Sequence, residues 1–462
     1  MKKVLLLNPP FDEILVRDNY CCHTSKGDYV WAPSDLLYVS GTLNVPEIEL
    51  YVLDAIVEKM DLESVENHLR QIAPDVIVTL SGTVSFSTDM ELLKKMRENL
   101  GCRNYLMGNL PVFNAELVLE RYPHIDGIFH NFFDTRVLNH ILDPSFLCNS
   151  ISHRTVNGSF HLGKVNYLEK GQQPSPRVPR FDLFPNEKYS TPISNRSPQT
   201  TVITAFGCPY ECKFCVASGL NLYNRDLENL EAEFDEIKRN GIKEIFFMDS
   251  TFNSILNRLR KICNLMIEKK YGFSWSCNVH SLKYSQRDFE LMKKAGCHTI
   301  QIGVEAGNED SRNEFAPTKS EENLKGVFDQ SHKAGLRTLG YFIIGFPQED
   351  KDMVKETIDF ALELDPFFAS FTTLMPDYGT EFYLEARDKQ MIDKGLHYFD
   401  NSGKPILKNM LLSKDEREKL LKLAYRKFYF RPRQVWKYVS DFKHFPLYFR
   451  NGSRVLKKFL LS

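Results

Sequence analysis

Two successive series of alternating strand and helix patterns constrain the fold of this chain more than any other feature of its sequence. In the first series, short apolar runs typical of buried parallel strands alternate with amphipathic helical patterns, which are clearest at residues 61–72 and 88–100. The predicted strands of this series are residues 3–9, 48–53, 76–80, 105–107 and 127–129. Because parallel strands need helical crossovers, the alternation predicts a doubly wound α/β domain over residues 1–145.

The second series begins after residues 146–195, which include a stretch rich in Pro, Ser and Asn and are predicted to form a surface linker. Its predicted strands are residues 201–206, 244–248, 274–279, 299–304, 338–344 and 369–375. Helical patterns between them, such as 229–240 and 322–334, complete β–α units. Six parallel strands are two fewer than a closed barrel of this type has, so we expect a partial (β/α)6 barrel over 196–385. A helical, basic segment, 386–462, follows it.

The charge balance and the cysteine content exclude several classes of protein. Lys and Arg number 59 against 60 Asp and Glu in 462 residues, so we expect no surface built to coat nucleic acid. Ten cysteines are too few for a disulfide scaffold. No apolar window is long enough to span a membrane, and Pro9 and Pro10 end the first apolar run before a signal peptide is complete. These features predict a cytoplasmic protein.

The segment GCPYECKFC is the sharpest chemical signal in the sequence. It places Cys208, Cys212 and Cys215 in a C-x3-C-x2-C spacing directly after the predicted strand 201–206. Soft thiolates at this spacing select zinc or an iron–sulfur cluster over magnesium or calcium. A structural zinc site needs four ligands, and no second Cys or His pair follows at the usual distance. Three thiolates on a cube of four irons leave one iron open, while an incomplete zinc site and three adjacent buried thiols are the alternatives.

This segment, with Phe214 just before its last cysteine, resembles the signature of the radical S-adenosylmethionine (radical SAM) enzymes. FFMDSTF, IQIGVEAGNED, AGLRTLGYFIIGFPQED and MPDYGT resemble later strands of the same family in the same order, so the resemblance covers about residues 196–385. It implies that the three cysteines hold a 4Fe-4S cluster whose open iron binds the amino and carboxylate groups of SAM. An electron from a reducing partner such as flavodoxin or ferredoxin then cleaves SAM to a 5′-deoxyadenosyl radical, which takes hydrogen from the substrate.

The same resemblance implies contacts to SAM from several later segments. The FFMDSTF segment is expected near the methionine moiety, and the strand that ends in GFPQED near the adenine. The residues named by the resemblance are Phe214 and Gly345 at the adenine, Asp249 and Ser250 at the methionine moiety, and Glu305 and Lys319 as polar contacts.

Alternation along two strands independently favours a polar, ligand-binding interior. In residues 299–305, Gln301, Gly303 and Glu305 share one face, opposite three aliphatic residues. The polar face of the preceding strand consists of Ser274, Ser276, Asn278 and His280. A barrel that only had to be stable would fill its interior with aliphatic residues, so we predict a polar lumen. An antiparallel sheet with one wet face would give the same alternation and is the alternative.

Other single residues carry weaker signals. His280 is predicted to be a hydrogen-bonding group at a strand end rather than a catalytic one. Tyr341, on a strand, is predicted to be a core residue, and so are Cys263, Cys277 and Cys297, which form no second ligand set. The adjacent pair Cys21 and Cys22 is predicted to be two free thiols in a loop.

The first domain resembles the cobalamin-binding domain attached to one large class of radical SAM enzymes. The resemblance rests on LLLNPP, WAPSDLLYVSGTL, LYVLDA and APDVIVTLSGTVSFS. It implies a Rossmann-like fold with the ligand at the carboxyl ends of the strands, at loops 9–11, 81–85 and 108–114. Two segments depart from the pattern, because GNLPVFN and HNFFDT carry bulky side chains where the family keeps small ones. The bulky residues are Asn109, Phe113, Phe132 and Phe133, and the sequence does not define which way they point.

The function expected from these resemblances is modification of an unactivated carbon in a small or lipid-linked metabolite. With cobalamin, methyl transfer is favoured. Without it, the radical would drive a rearrangement, dehydration, epimerisation or cyclisation. A hypothesis of another class is a non-catalytic metal-binding scaffold.

The C-terminal segment is unusually basic and aromatic. Residues 421–462 contain 11 Lys or Arg against one acid, Asp441, with aromatic residues interleaved. We expect a helical cap on the barrel. Peripheral contact with anionic lipid and nucleic-acid binding are the alternatives.

Overall fold

The computed structural model describes residues 1–18, 21–155, 157–165, 175–393, 395, 400 and 404–441. Strands of the N-terminal part are β1 (Lys2–Asn8), β2 (Leu15–Arg17), β3 (Cys22–Thr24), β4 (Ile48–Asp54), β5 (Val76–Leu80), β6 (Arg103–Met107), β7 (Gly127–Phe129), β8 (Ile151–Arg154) and β9 (Phe160–His161). Its helices are α1 (Ser34–Thr42), α2 (Ala55–Glu58), α3 (Leu62–Ile72), α4 (Phe86–Leu100), α5 (Asn109–Phe113), α6 (Ala115–Arg121) and α7 (Val137–Leu142).

Seven of these strands form one sheet in the order β4-β1-β5-β6-β7-β8-β9, while β2 and β3 form a separate hairpin. The first five strands are parallel and the last two antiparallel. The parallel part is a doubly wound sheet of flavodoxin-like order, whose strand order reverses between β1 and β5. The predicted α/β fold of the first domain is confirmed, and each predicted strand lies within two residues of an observed one.

Helix α3 shows why the sequence pattern was informative in this domain. Its buried residues Val65, Leu69 and Ile72 follow a helical period, and they pack into the core beneath the sheet. The Asp61 carboxylate accepts a hydrogen bond from the Ser64 N–H and so caps the first turn. Helix start and buried stripe are both local properties, so the sequence defines them.

Strands β8 and β9 lie inside the predicted linker and were not expected. Their residues are largely polar, and the His153 ring packs on the His140 ring, with the ring centroids 4.4 Å apart. An edge strand whose side chains find polar or aromatic partners lacks the apolar alternation by which strands are recognised. The sheet therefore continues past residue 145, and the domain boundaries themselves remain a prediction.

The second domain is an open parallel sheet with helices between its strands. The strands are β10 (Gln199–Val202), β11 (Ala205–Phe206), β12 (Tyr223–Asn224), β13 (Glu244–Phe247), β14 (Ser274–Val279), β15 (Cys297–Glu305), β16 (Arg337–Ile344) and β17 (Phe368–Thr373). The helices are α8 (Leu227–Arg239), α9 (Leu256–Glu268), α10 (Gln286–Lys294), α11 (Glu309–Phe315), α12 (Glu321–Lys333), α13 (Lys351–Leu364) and α14 (Glu381–Asp388). Six strands pair in the parallel order β10-β13-β14-β15-β16-β17, and among the described residues no pairing closes the sheet. This confirms the predicted partial (β/α)6 barrel.

The predicted strand 201–206 is split in two. The Asp249 carboxylate accepts hydrogen bonds from the Thr204 N–H, at 2.6 Å, and from the Thr204 hydroxyl, at 2.5 Å. This pulls the chain out of the sheet after β10, and β11 then pairs with β12 as a small antiparallel ribbon. The break depends on a residue 45 positions away, so local sequence does not reveal it.

Two helices, α15 (Lys414–Tyr429) and α16 (Pro432–Ser440), follow the barrel. The hydroxyls of Tyr425 and Tyr429 each accept from the N–H and donate to the carbonyl of one β17 residue, Phe371 and Ala369 respectively, at 2.7–3.2 Å. They thereby satisfy the backbone of an open sheet edge that would otherwise invite pairing. This supports the predicted cap as far as residue 441. The other predicted tail residues, 442–462, lie outside the described residues.

The carboxyl ends of the two sheets face each other. Met375 and Tyr378, which follow β17, belong to the hydrophobic core of the first domain. Trp31, from the segment before α1, packs its ring 5.8 Å from that of Phe246 on β13. Among the described residues, no helix is long and apolar enough to cross a membrane.

Candidate functional site

The three motif cysteines lie in one loop between β11 and β12, at the carboxyl end of the barrel. The loop folds back sharply at Gly207, whose φ of +78° and close approach to Asn221 leave no room for a side chain. Lys213 fixes the loop from outside, because its N–H donates to the Phe315 carbonyl (3.0 Å) and its carbonyl accepts from the Phe382 N–H (2.9 Å). The loop is therefore held rigidly at the place where a cofactor would bind.

The donor set of this loop fits an iron–sulfur cluster. All ten cysteines are free thiols. Cys208, Cys212 and Cys215 are close enough to influence one another electrostatically, and burial raises the pKa of the Cys212 thiol to about 11 and that of Cys215 to about 12. Among the described residues, no three His, Cys, Asp or Glu side chains are arranged to hold a single metal ion. A 4Fe-4S cluster has a different requirement, since each thiolate binds its own iron.

Lys319 and Glu305 form a buried ion pair beside the cysteines. The Lys319 ammonium donates to Glu305 Oε1, and both side chains are nine-tenths buried. Burial opposes the charge on Lys319, but the Glu305 carboxylate and the Cys212 thiol nearby raise the pKa of the ammonium above its ordinary value. The pair therefore places a fixed positive charge next to the cysteine loop, and the prediction that Glu305 lies inside the barrel holds in the structure.

A bulge in β15 presents this ion pair. The register with β16 shifts between Gly303 and Glu305, and Glu305 takes a φ of +69°. A methyl group on Gly303 would lie 2.3 Å from Glu305 Oε1 and 2.6 Å from Lys319 Nζ. Bulges next to active sites commonly re-aim a side chain, and here the bulge and the missing side chain together make room for the pair.

The barrel encloses a cavity of about 350 Å³. Its lining residues are Trp31, Phe246, Met248, Asn278, Gly303, Glu305 and Tyr341. The opposite face of β15, with Ile300, Ile302 and Val304, is buried in the core. The parallel pairing of β14 and β15 removes the alternative of a wet antiparallel sheet. Of the predicted polar faces, Asn278, Gly303 and Glu305 line the cavity, beside the apolar side chains of Trp31, Phe246 and Met248.

Tyr341 was predicted to be a core residue, and this is wrong. Its side chain is 36% exposed, lines the cavity, and its hydroxyl donates to Gln301 Oε1 at 2.5 Å. Trp31 was missed altogether, because it lies in a different domain from the barrel it lines. Its indole N–H is buried and finds no hydrogen-bond partner among the described residues, so a ligand in the cavity has a donor available.

The two residues predicted at the adenine come together. The Phe214 ring lies 6.4 Å from that of Phe346, the residue after Gly345. The buried Glu349 carboxylate accepts from the N–H groups of Gly345 and Phe346, at 2.8 and 3.0 Å, and so shapes this loop. Glu349 was not singled out from the sequence.

The residues predicted at the methionine moiety behave differently from each other. Asp249 is buried and committed to Thr204, and burial raises the pKa of its carboxyl. Ser250 is half-buried beside it. The next residue, Thr251, places its hydroxyl oxygen 3.7 Å from the Cys208 sulfur. In the structure Asp249 holds the turn before the cysteine loop, and a contact of either residue with SAM remains a prediction.

His280 forms hydrogen bonds at the end of β14, as predicted. Its ring stacks on Tyr210 with centroids 3.7 Å apart, its Nδ1 accepts from the Leu282 N–H, and its Nε2 meets the Thr318 hydroxyl. Because Nδ1 is an acceptor, the ring is neutral. Burial, together with Lys319 and Lys283, lowers its pKa to about 3.

We expect His280 to make the protein less stable as the pH falls. The unfolded chain binds a proton on this residue near pH 6.5 and the folded chain only near 3, so the free energy of unfolding falls as the pH drops from 7 toward 4. His280→Gln should flatten this slope by about 1 kcal/mol per pH unit. Urea unfolding at pH 7 and pH 5 measures the slope, with His68→Gln on α3 as the control. An unchanged slope in His280→Gln would contradict the assignment.

The remaining cysteines are structural thiols. Cys263, Cys277 and Cys297 are buried in the barrel core, as predicted. Cys21 and Cys22 are free, also as predicted, but Cys22 begins β3 rather than lying in a loop.

Three of the four bulky residues of the first domain, Phe113, Phe132 and Phe133, pack against the second domain. Phe132 and Phe133 are buried, and Phe133 stacks on Phe206 of the barrel at 3.8 Å. Phe113 packs against Gly379, which follows β17. These side chains fill part of the interface between the domains, at the carboxyl ends of the two sheets.

The ligand edge of the first domain carries buried polar atoms without partners. Thr83 and Asn109 are buried in two of the three predicted loops, and among the described residues Thr83 Oγ1 and Asn109 Nδ2 have no hydrogen-bond partner. Unsatisfied buried polar atoms are costly, and they indicate a missing polar ligand. The residues thus fit a cofactor with peripheral amide groups. Next to them, the buried pair of Arg17 and Asp89, 3.6 Å apart, fills the place where the strand order reverses.

Comparisons with known proteins agree with this site. Residues 202–361 match the model of the radical SAM superfamily. An uncharacterized methyltransferase of Pyrococcus horikoshii is 27% identical over 461 residues, covering 95% of each chain. The anaerobic magnesium-protoporphyrin IX monomethyl ester cyclase of Cereibacter sphaeroides is 24% identical, covering 90% of this chain and 70% of the cyclase.

Solved structures share the whole architecture. The cobalamin-dependent radical SAM enzyme OxsB, with aqua-cobalamin and SAM bound, has a TM-score of 0.69 at 16% identity and covers 100% of this chain and 73% of its own. The radical SAM methyltransferase TsrM from Kitasatospora setae, with cobalamin and a 4Fe-4S cluster bound, has a TM-score of 0.65 at 15% identity, covering 91% and 85%.

Residues 202–361, within the second domain, are therefore a radical SAM domain. The chain has the fold of these two cobalamin-binding structures. A radical SAM domain implies a 4Fe-4S cluster and SAM as cofactors. The predicted superfamily and fold class are confirmed.

Proposed function

We propose that the chain is a cobalamin-dependent radical SAM methyltransferase acting on a small or lipid-linked metabolite. The observation that carries this is the meeting of two ligand edges. The carboxyl end of the first sheet faces the carboxyl end of the barrel, with its cysteine loop and cavity. At the first of these ends, Thr83 Oγ1 and Asn109 Nδ2 have no partner among the described residues. The similarity to a methyltransferase along 95% of the chain supports the same reaction class.

In this proposal Cys208, Cys212 and Cys215 hold the cluster. When bound, the cluster supplies the electron that cleaves SAM to methionine and a 5′-deoxyadenosyl radical, and cobalamin carries the methyl group. Lys319 stabilises negative charge on the thiolates beside it, and Glu305 neutralises Lys319 while offering an acceptor to SAM. The thiols must lose their protons to bind iron, and the fixed positive charge of Lys319 nearby favours the thiolate form.

The cavity defines what a substrate must offer. Trp31, Phe246 and Met248 give it apolar walls, and these suit a flat or hydrophobic group. The Trp31 N–H, Asn278 and the Tyr341 hydroxyl are the polar groups available to orient it. Trp31 comes from the first domain, so binding of the substrate depends on the contact between the domains.

Cobalamin would be held by Thr83 and Asn109 in the loops after β5 and β6. Purified protein mixed with hydroxocobalamin and passed over a desalting column should retain it stoichiometrically. Thr83→Val removes one hydrogen bond to the cofactor and should weaken retention roughly fivefold. Thr200→Val is a matched control, because Thr200 is another buried hydroxyl without a partner among the described residues, on β10. Complete loss of cobalamin from the unmodified protein would contradict the proposal.

A second candidate is a cobalamin-independent rearrangement, dehydration, epimerisation or cyclisation. Two observations favour it. A relative similar over 90% of this chain is named a cyclase. In addition, a Cβ atom on Gly82 would lie 2.5 Å from the Cys22 Cβ, so the β2–β3 hairpin partly covers the loop after β5. Loss of cobalamin on the column together with retained SAM cleavage would move the assignment to this class.

The partners and location follow from the reaction. A low-potential reductant such as flavodoxin or ferredoxin is required to reduce the cluster. We propose a cytoplasmic enzyme with a small-molecule or lipid-linked substrate, and a peripheral contact with lipid that the last helix suggests.

A further inference from the structure

Helix α16 is attached to the barrel by its polar face. Gln434 Nε2 and the Tyr438 hydroxyl both donate to the Phe367 carbonyl, at 2.6 and 2.8 Å, and Lys437 Nζ donates to the Asp365 carbonyl at 3.0 Å. Helices of globular proteins normally turn their apolar face inward. Here the anchored face is polar, so the apolar residues of the helix are left on the outside.

The outward face of α16 is a patch of large apolar side chains. Trp436 is 70% exposed, Val435 47% and Val439 37%, and these three positions share one side of the helix. Phe430, which follows α15, is also exposed, at 58%. Contiguous exposed apolar residues of this kind mark an interaction surface.

Positive charge surrounds the patch. Arg431, Arg433 and Lys437 all meet the single carboxylate of Asp365, so three cations share one anion at the start of the helix. Arg426 is exposed one turn earlier on α15. In sequence, residues 442–462 add five more Lys or Arg and no acid. Among the described residues, cations therefore outnumber anions along α16, in a chain whose net charge is −1.

We propose that this face of α16 docks on the surface of an anionic lipid bilayer. An exposed Trp among branched apolar residues, on a helix with cations alongside, is the composition of helices that lie in the membrane interface. The basic surroundings require an anionic partner. A second copy of the chain would bring like charges together at the same patch, which disfavours self-association. Such docking would hold the barrel next to a lipid-linked substrate.

The test uses the full chain and vesicles of defined composition. We expect the protein to sediment with vesicles of phosphatidylcholine and phosphatidylglycerol at low salt and not with phosphatidylcholine alone. Trp436→Ser should weaken partitioning at least tenfold, because a large apolar side chain no longer leaves water. Arg426→Gln should weaken it about fivefold, with the effect disappearing at high salt. Leu62→Ser is the control, since Leu62 is an exposed apolar residue (42%) on α3, in the other domain.

Fluorescence locates the contact. The chain has three Trp, of which Trp275 is fully buried and Trp31 half-buried. A blue shift of emission on adding anionic vesicles should therefore vanish in Trp436→Phe. Equal binding to neutral and anionic vesicles, or binding unchanged in Trp436→Ser, would overturn the proposal. So would a Trp436-dependent dimer in sedimentation velocity without lipid. The measurement reads binding alone, so it is independent of the proposed methyl transfer.

Discussion

Replacing Cys212 with Ala is expected to abolish both the brown absorbance of the reconstituted protein and its cleavage of SAM. The three thiols of the cysteine loop are the proposed donors, and two thiolates cannot hold a cube of four irons while leaving one iron for SAM. The same loss is expected for Cys208→Ala and Cys215→Ala. Anaerobic reconstitution with iron and sulfide, followed by assay of 5′-deoxyadenosine, measures both quantities.

The chain offers a matched control for this experiment. Cys263 is buried in the core on α9, and Cys263→Ala removes one thiol without touching the loop. It should lower stability by about 1 kcal/mol and leave both the absorbance and the cleavage intact. If Cys212→Ala cleaved SAM at the rate of the unmodified protein, the cluster assignment would be wrong. If the unmodified protein itself did not cleave SAM, the hypothesis of a non-catalytic metal-binding scaffold would be favoured.

The sequence predicted most of the fold because the relevant signals are local. Buried parallel strands such as β1 and β5 are continuous apolar runs, and helices such as α3 carry a cap and a periodic stripe. Along β15, the alternation of polar and apolar residues was enough to predict which face of the strand lines the cavity. What the sequence did not predict depends on distant partners. The break after β10 is made by Asp249, and the polar strand β8 is held by its pairing with β7 and β9.

The candidate site was only partly accessible from the sequence for the same reason. The cysteine motif is contiguous, and so it was visible. Trp31 lines the cavity from another domain, and Tyr341 faces the cavity although its strand neighbours Phe342 and Ile344 are core residues. The orientation of Phe132 and Phe133 was open because only packing against Phe206 in the barrel decides it. Residues contributed across a domain interface carry no local signature.

Replacing Glu305 with Gln is expected to weaken SAM binding roughly tenfold or more while the cluster spectrum survives. The amide no longer neutralises the buried Lys319 ammonium, and it offers SAM a weaker acceptor than a carboxylate does. Losing one partner of a buried ion pair also costs about 3 kcal/mol of stability. Equilibrium dialysis of SAM and urea unfolding separate the two effects.

Two further variants make this test specific. Glu321→Gln is the control, because Glu321 pairs with Lys325 on the exposed surface of α12, where water screens such a pair and it contributes little to stability. Gly303→Ala keeps both charges but puts a methyl group within 2.3 Å of Glu305 Oε1, so it should displace the pair and weaken SAM binding in the same direction. If SAM affinity stayed unchanged in Glu305→Gln and stability alone fell, the pair would be structural. Loss of affinity in both Glu305→Gln and Gly303→Ala, with the absorbance intact, would place the pair of Glu305 and Lys319 at the cofactor, because both changes disturb that pair.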